Sequence, residues 1–185
     1  MGDADFTVER LIARADDELA NGLGNLVNRV VAMIHRYRDG LVPDAHAGLD
    51  GGADLGADLG AACRQASAQV AAALDEFDFR RATAAVWSIA DEANRLVNRV
   101  RPWALAKAER AGDSDAATSG ARLDTALCVL LEAGRTLGRE LSPFLPDAAA
   151  RITAQCVPGE DGRLPPPSPV FRRLASGGGG HAPGR

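Results

Sequence analysis

The sequence predicts an all-α fold, a bundle of about five helices, and three observations lead there. Apolar residues recur every three or four positions over most of the chain, the period of a helix with one buried stripe. No stretch alternates apolar and polar residues as a half-buried strand would. The hydrophobic share is 46% but aromatics make up only 4%, so the core must be built from Ala, Leu, Val and Ile, side chains that let helices pack closely. A chain of 185 residues can bury one such core without disulfides or metal.

The first helix starts after Thr7, a candidate N-cap, with apolar residues at Leu11, Ile12, Ala15, Leu19, Leu23, Leu26, Val27, Val30 and Ile34. It is either one long helix or two joined near Gly22. "DGLVPDAHAGLDGGADLG" clusters Gly, Pro and Asp as a connector, and its tandem GADLGADLG is too short to be a structural repeat. A second helix spans about 58 to 76. Asp78 precedes a third, with Ala82, Val86, Ile89, Ala93, Leu96, Val97 and Val100 on its buried side. Pro102 must stop or kink that helix, because proline has no amide donor and disfavours helical geometry in Arg101 before it. "WALAKAERAG" reads as a short helix closed by Gly112. A further helix fits 121 to 141, and the last opens after Pro146. The domain boundaries expected are a bundle over 6–156, a proline-rich extended segment over 157–174 docking through Val170, Phe171 and Leu174, and a disordered glycine-rich tail over 175–185.

Several function classes are disfavoured. The net charge of −4 supplies no global basic field, so any nucleic-acid contact must be local, and DNA is not an expected partner. Cys63, Cys128 and Cys156 are odd in number and lack a CxxC pair, so they read as buried free thiols rather than a disulfide framework or a zinc site. His35, His46 and His181 have no acidic or thiol partner at an informative spacing and read as surface residues. There is no G-x-S-x-G, H-E-x-x-H, P-loop or strand-linked G-x-G-x-x-G, and Lys107 is the only lysine. No catalytic residue, metal or cofactor is expected, and the chain is not expected to be an enzyme. The acidic start and the absence of an 18-residue apolar run predict a cytoplasmic protein with no membrane partner.

Two segments stand out because both contain LVNRV, at 26–30 and 96–100. On the first helix Asn21, Asn25 and Arg29 fall at i, i+4 and i+8, placing two carboxamides and a guanidinium along one face. Such a row is either ordinary wet surface or a set of donors and acceptors suited to base edges in single-stranded RNA. Gly22 and Gly24 interrupt it at a cost of about 1 kcal/mol each, which suggests close approach of another backbone. In the second segment Trp103 follows Pro102 at a corner, where the ring is either a core plug or exposed. Arg95, Arg99, Arg101, Lys107 and Arg110 make this the most basic neighbourhood of the chain, and an exposed indole among cations is a stacking platform for an unpaired base.

Together, "DDELANGLGNLVNRVVAMI", "DFRRATAAVWSIADEANRLVNRVRPWALAK" and "LSPFLPDAAARI" resemble the C-terminal anticodon-binding domain of methionyl-tRNA synthetase, over about Phe6 to Leu174. The resemblance implies the helical bundle of class I aminoacyl-tRNA synthetases and a tRNA partner, the anticodon arm of methionine tRNA. It also implies that Asn21, Asn25, Arg29, Pro102 and Trp103 contact the CAU anticodon; Arg95, Arg99, Arg101 and Lys107, in the basic neighbourhood of Trp103, are candidate phosphate contacts by their charge. Gly22 stands where an aspartate is usual, and Arg99 and Arg101 depart toward stronger phosphate attraction. The flanks of the two LVNRV peptides do not match, so the expectation is two helices using Asn-Arg on one RNA surface rather than a duplication. HIGH-type and KMSKS-type peptides are missing. The expected role is therefore a free-standing tRNA-binding module serving a separate catalytic protein; the alternative is a protein-interaction or adaptor subunit, for example in tRNA-dependent biosynthesis, that no longer reads an anticodon.

Overall fold

The computed structural model describes residues 7–43, 55–112 and 114–171. Phe6, His46, His181, Leu174 and the 175–185 tail, with the expectations attached to them, lie outside the described residues.

The chain opens with one continuous helical rod. Helix α1 is Val8–Arg14, started by Thr7, whose hydroxyl accepts from the Arg10 amide at 3.2 Å. It passes without a break into a π-helical segment, Ala15–Gly24, and then into α2, Asn25–Arg38. Of the two arrangements open from sequence, this is the single helix, but its middle third is wound as π rather than α. Such winding is rare and concentrates at functional sites. Asp39, at a positive φ of 53°, and Gly40, at 82°, turn the chain out of α2.

Helix α3 (Ala57–Asp75) and helix α4 (Phe79–Val100) form an antiparallel hairpin. Asp78 caps α4, its carboxylate accepting from the Arg81 amide at 3.0 Å. Asp78→Ala should lower stability by about 1 kcal/mol through loss of this cap, as a shift of the urea midpoint with unchanged slope. Arg101 ends α4 in the left-handed region, φ 52°, a conformation uncommon outside glycine. The following Pro102 denies it right-handed geometry and opens α5, Pro102–Ala111, which Gly112 closes at φ 69°.

Helix α6, Ala116–Leu141, is the centre of the bundle, touching α2, α3, α4, α5 and α7. It starts five residues before the expected 121, because Ser119 and Gly120 resemble a breaker in sequence but are buried here. Gly120 is needed for space: a Cβ there would lie 2.6 Å from a Glu109 carboxylate oxygen. Near the other end, Gly138 leaves room for Thr153 and Gly134 for Cys156, letting α7 (Pro146–Cys156) sit close. Among the described residues there is no strand, only an isolated bridge between Leu41 and Arg163.

The core is aliphatic as expected, with Leu26, Ile34, Ile89, Leu96, Leu127, Leu131 and Ile152 nearly or wholly buried. Leu164 and Val170 are buried against it as well. Only Cys156 is a buried thiol, its pKa pushed up to about 11 by that burial. Cys63 and Cys128 are part-exposed because they sit at the edges of α3 and α6. Nor is His35 a plain surface residue. Half-buried, it places Nε2 3.0 Å from the Pro165 carbonyl and pins the proline-rich segment to α2. Among the described residues no helix is long and apolar enough to cross a membrane.

Candidate nucleic-acid interface

Asn21 lies in the last π-helical turn and Asn25 begins α2, and both residues are exposed. They line one cleft of about 500 Å³, whose opposite wall is Pro169, Val170 and Phe171. Asn21 is braced by Asp17, to which its Nδ2 donates at 3.3 Å. Arg29 does not line this cleft and is half-buried. From Asn25 to Arg29 four residues of α-helix advance about 400°, so Arg29 is turned about 40° away from Asn25. The single row expected from sequence is therefore a pair of carboxamides in a cleft and a guanidinium rotated out of it.

The glycines do not meet another backbone as expected. A Cβ on Gly24 would lie 2.9 Å from Cδ2 of Phe171, so the close approach is by an aromatic side chain. Gly22 has more room and belongs to a second, smaller cleft of about 370 Å³, shared with Arg14, Glu18, Trp87 and Asn94 where the π segment meets α4.

Trp103 is 44% exposed on the first turn of α5, while Pro102 beneath it is buried. The core-plug alternative is thereby excluded. Lys107 lies one helical turn beyond Trp103, and it and Arg101 are exposed. The other cations are placed differently. Arg99 donates to Asp58 at 3.0 Å and to the Leu55 carbonyl at 3.2 Å, and Arg95 pairs with Glu92. These two arginines line a shallow depression against α3, because their positions on α4 turn them toward that helix. Arg110 bonds the Ala106 carbonyl at 3.0 Å.

The two LVNRV peptides consequently do different work at their polar ends: Arg99 ties α4 to the start of α3, whereas among the described residues Arg29 has no such ion pair. What both copies share is apolar, since Leu26, Val27, Leu96 and Val97 are all at most 3% exposed.

Sequence reasoning missed two groups. Asn28 also lines the cleft with Asn21 and Asn25; its position three residues after Asn25 was the available signal. Arg38, at the end of α2, donates to Glu109 of α5 at 2.9 and 3.1 Å and to Asp124 of α6 at 2.5 Å. Burial opposes its charge, but Asp124 and Glu109 more than offset that and raise its pKa above the ordinary arginine value. The bond ties the helix carrying Asn25 and Arg29 to the one carrying Trp103. An open indole, carboxamides in a groove and a few cations can stack on and hydrogen-bond flat heteroaromatic groups.

Comparison with known proteins gives the family and the fold. The family described as the anticodon binding domain of methionyl tRNA ligase matches residues 42–182. The chain is 37% identical over 153 residues to a methionine–tRNA ligase of Streptococcus pyogenes, 83% of this chain but 21% of that protein. It is 32% identical over 159 residues to that of Caldanaerobacter subterraneus, 86% of this chain and 23% of the relative. Its fold superposes on methionyl-tRNA synthetase of Mycobacterium tuberculosis bound by methionyl-adenylate, with a TM-score of 0.77 and 28% identity, over 90% of this chain and 34% of the other. The chain thus spans about a fifth of the length of the curated relatives it matches. The all-α bundle with its helix-breaking Pro-Trp elbow belongs to the family of methionyl-tRNA ligase anticodon-binding domains.

Proposed function

We propose that this chain binds tRNA and reads the CAU anticodon arm of methionine tRNA. An unpaired base stacks on Trp103, while Asn21, Asn25 and Arg29 make the remaining base contacts; Pro102, buried in the structure, serves by setting the elbow that presents the ring. Arg101 and Lys107 are placed for phosphates, whereas Arg95 and Arg99 would first have to exchange Glu92 and Asp58 for them. The observation that carries the reading is Trp103, 44% exposed on a buried proline at a helix elbow, in a family named for anticodon binding. Methionine activation is supplied by residues outside these 185, since HIGH-type and KMSKS-type peptides are missing from them. In this reading the module holds the anticodon end while a separate catalytic protein works on the acceptor end.

The test compares binding of a CAU stem-loop with stem-loops changed at single anticodon positions. Preference for CAU by tenfold or more is expected, and equal affinity for all of them would defeat anticodon reading.

A second reading, an adaptor or protein-interaction subunit, draws support from the tip of the α3–α4 hairpin. Phe77 is 80% exposed at a positive φ of 57°, and Phe79 is 58% exposed. A bulky residue held in that conformation and left in water is unusual. Co-purification of a protein partner without tRNA at low salt, together with no CAU binding, would replace the first reading with this one.

A further inference from the structure

We propose that Arg38 is a positioning residue for anticodon reading: it clamps α5 to α2 and so fixes the plane of the Trp103 ring relative to Asn25 and Arg29. The inference rests on the tRNA reading above.

Helix α5 depends on such a clamp because its own apolar grip is slight. Only Pro102 and Ala106 are buried along it, with Leu105 part-buried beside them, and residues that small remove little apolar surface from water. Both α5 and α2 pack on α6, while α2 and α5 touch each other little. The two elements that carry the proposed base contacts are therefore set against each other through α6 and through the side chain that crosses between them.

That side chain is Arg38, and its seat is built for a guanidinium. Nε donates to Asp124 of α6 at 2.5 Å. Nη1 donates to Glu109 of α5 at 3.1 Å and to the Tyr37 carbonyl at 2.8 Å, and Nη2 to Glu109 at 2.9 Å and the Gly120 carbonyl at 3.4 Å. Every nitrogen is engaged, on its own helix and on two others. The Glu109 carboxylate fits over α6 only because position 120 is glycine, where a Cβ would lie 2.6 Å from its Oε1. A planar fork that grips a carboxylate through two nitrogens fixes direction as well as distance, so α5 can neither roll about its axis nor swing on the elbow without breaking a charged contact.

Glu109 lies about 9 Å along α5 from Trp103, and Arg38 about 20 Å along α2 from Asn25. Arg38 is thus remote from the proposed base contacts and acts through α5. A short, rigid helix hands on a rotation undiminished, and a tilt of α5 tilts the indole by the same angle. Stacking needs the ring held in one plane, so looseness at the junction would be felt as affinity lost at Trp103.

The experiment is a double-mutant cycle on the full chain, with the CAU stem-loop and three stem-loops each changed at one anticodon base, every titration run below the melting temperature of the variant concerned. Arg38→Met is expected to weaken CAU binding about fivefold in the wild-type background and by under about twofold in the Trp103→Ala background. A merely structural role would lower affinity equally in both. Arg38→Lys, which has the charge without the fork, should recover part of the loss. Glu109→Gln keeps the shape of the junction and one acceptor; it is expected to weaken binding about threefold with the same dependence on Trp103, and it carries the cycle should the methionine variant fail to fold. Wild-type affinity in both variants, or an equal loss with and without the ring, overturns the positioning role and leaves the tRNA reading standing. Equal binding of all four stem-loops by the wild-type chain overturns both.

Discussion

Trp103→Ala is expected to weaken binding of the CAU stem-loop by about 1 to 3 kcal/mol, the range for losing one base–aromatic stack, and to leave the fold intact. The expectation follows from where the ring sits. Its indole is 44% exposed, and the elbow is held by what lies under it: Pro102 and Ala106 are buried, and the Arg101 amide bonds the Val97 carbonyl at 2.9 Å. Removing the ring therefore leaves the buried floor of the elbow in place. Titration with the stem-loop at fixed salt gives the affinity and a urea melt gives the fold. Trp103→Phe, which keeps a smaller π face, should fall between alanine and wild type. A variant that unfolds, or one that binds as tightly as wild type, would remove stacking at this site from the proposed function.

Arg38→Met is expected to cost about 2 kcal/mol of stability, read from the urea midpoint. The Arg38 side chain is 20% accessible and its partners Glu109 and Asp124 are 33% and 23% accessible. Methionine would fill most of the volume but leave two carboxylates, from two different helices, facing each other without a cation. Breaking a fully buried pair costs roughly 3 to 5 kcal/mol. These carboxylates keep some water and screening, so the loss should be smaller. Arg38→Lys restores the charge but not the planar fork that grips Glu109 through two nitrogens, and should recover only part of the stability. Loss of under 0.5 kcal/mol in the methionine variant would show that the three-helix junction is held by packing alone.

Local signals carried most of the fold. Thr7, Asp78, Pro102, Gly112 and Pro146 each mark a helix end for a reason contained within a few residues, and the structure uses each accordingly. The start of α6 was not legible, because the reason for Gly120 is a carboxylate eleven positions earlier in sequence. The π winding of 15–24 was not legible either, since periodicity templates assume α-helical geometry. At the candidate site, the placement of Trp103 depended on burial, which the sequence left open and the elbow settled. Asn28 escaped notice because its cleft exists only when Phe171, over 140 positions away, folds back onto α2. The fate of Arg95 and Arg99 depended likewise on α3, whose acidic Asp58 lies 41 residues from Arg99.

That internal pairing shapes how the molecule meets a polyanion. Arg14, Arg38, Arg81, Arg95, Arg99, Arg135 and Arg139, a third of the chain's 21 cationic side chains, are paired with its own carboxylates. Under the proposed function, Arg95 and Arg99 would add little counterion release beside the elbow while they hold Glu92 and Asp58, so discrimination would be drawn from ring faces and amide edges.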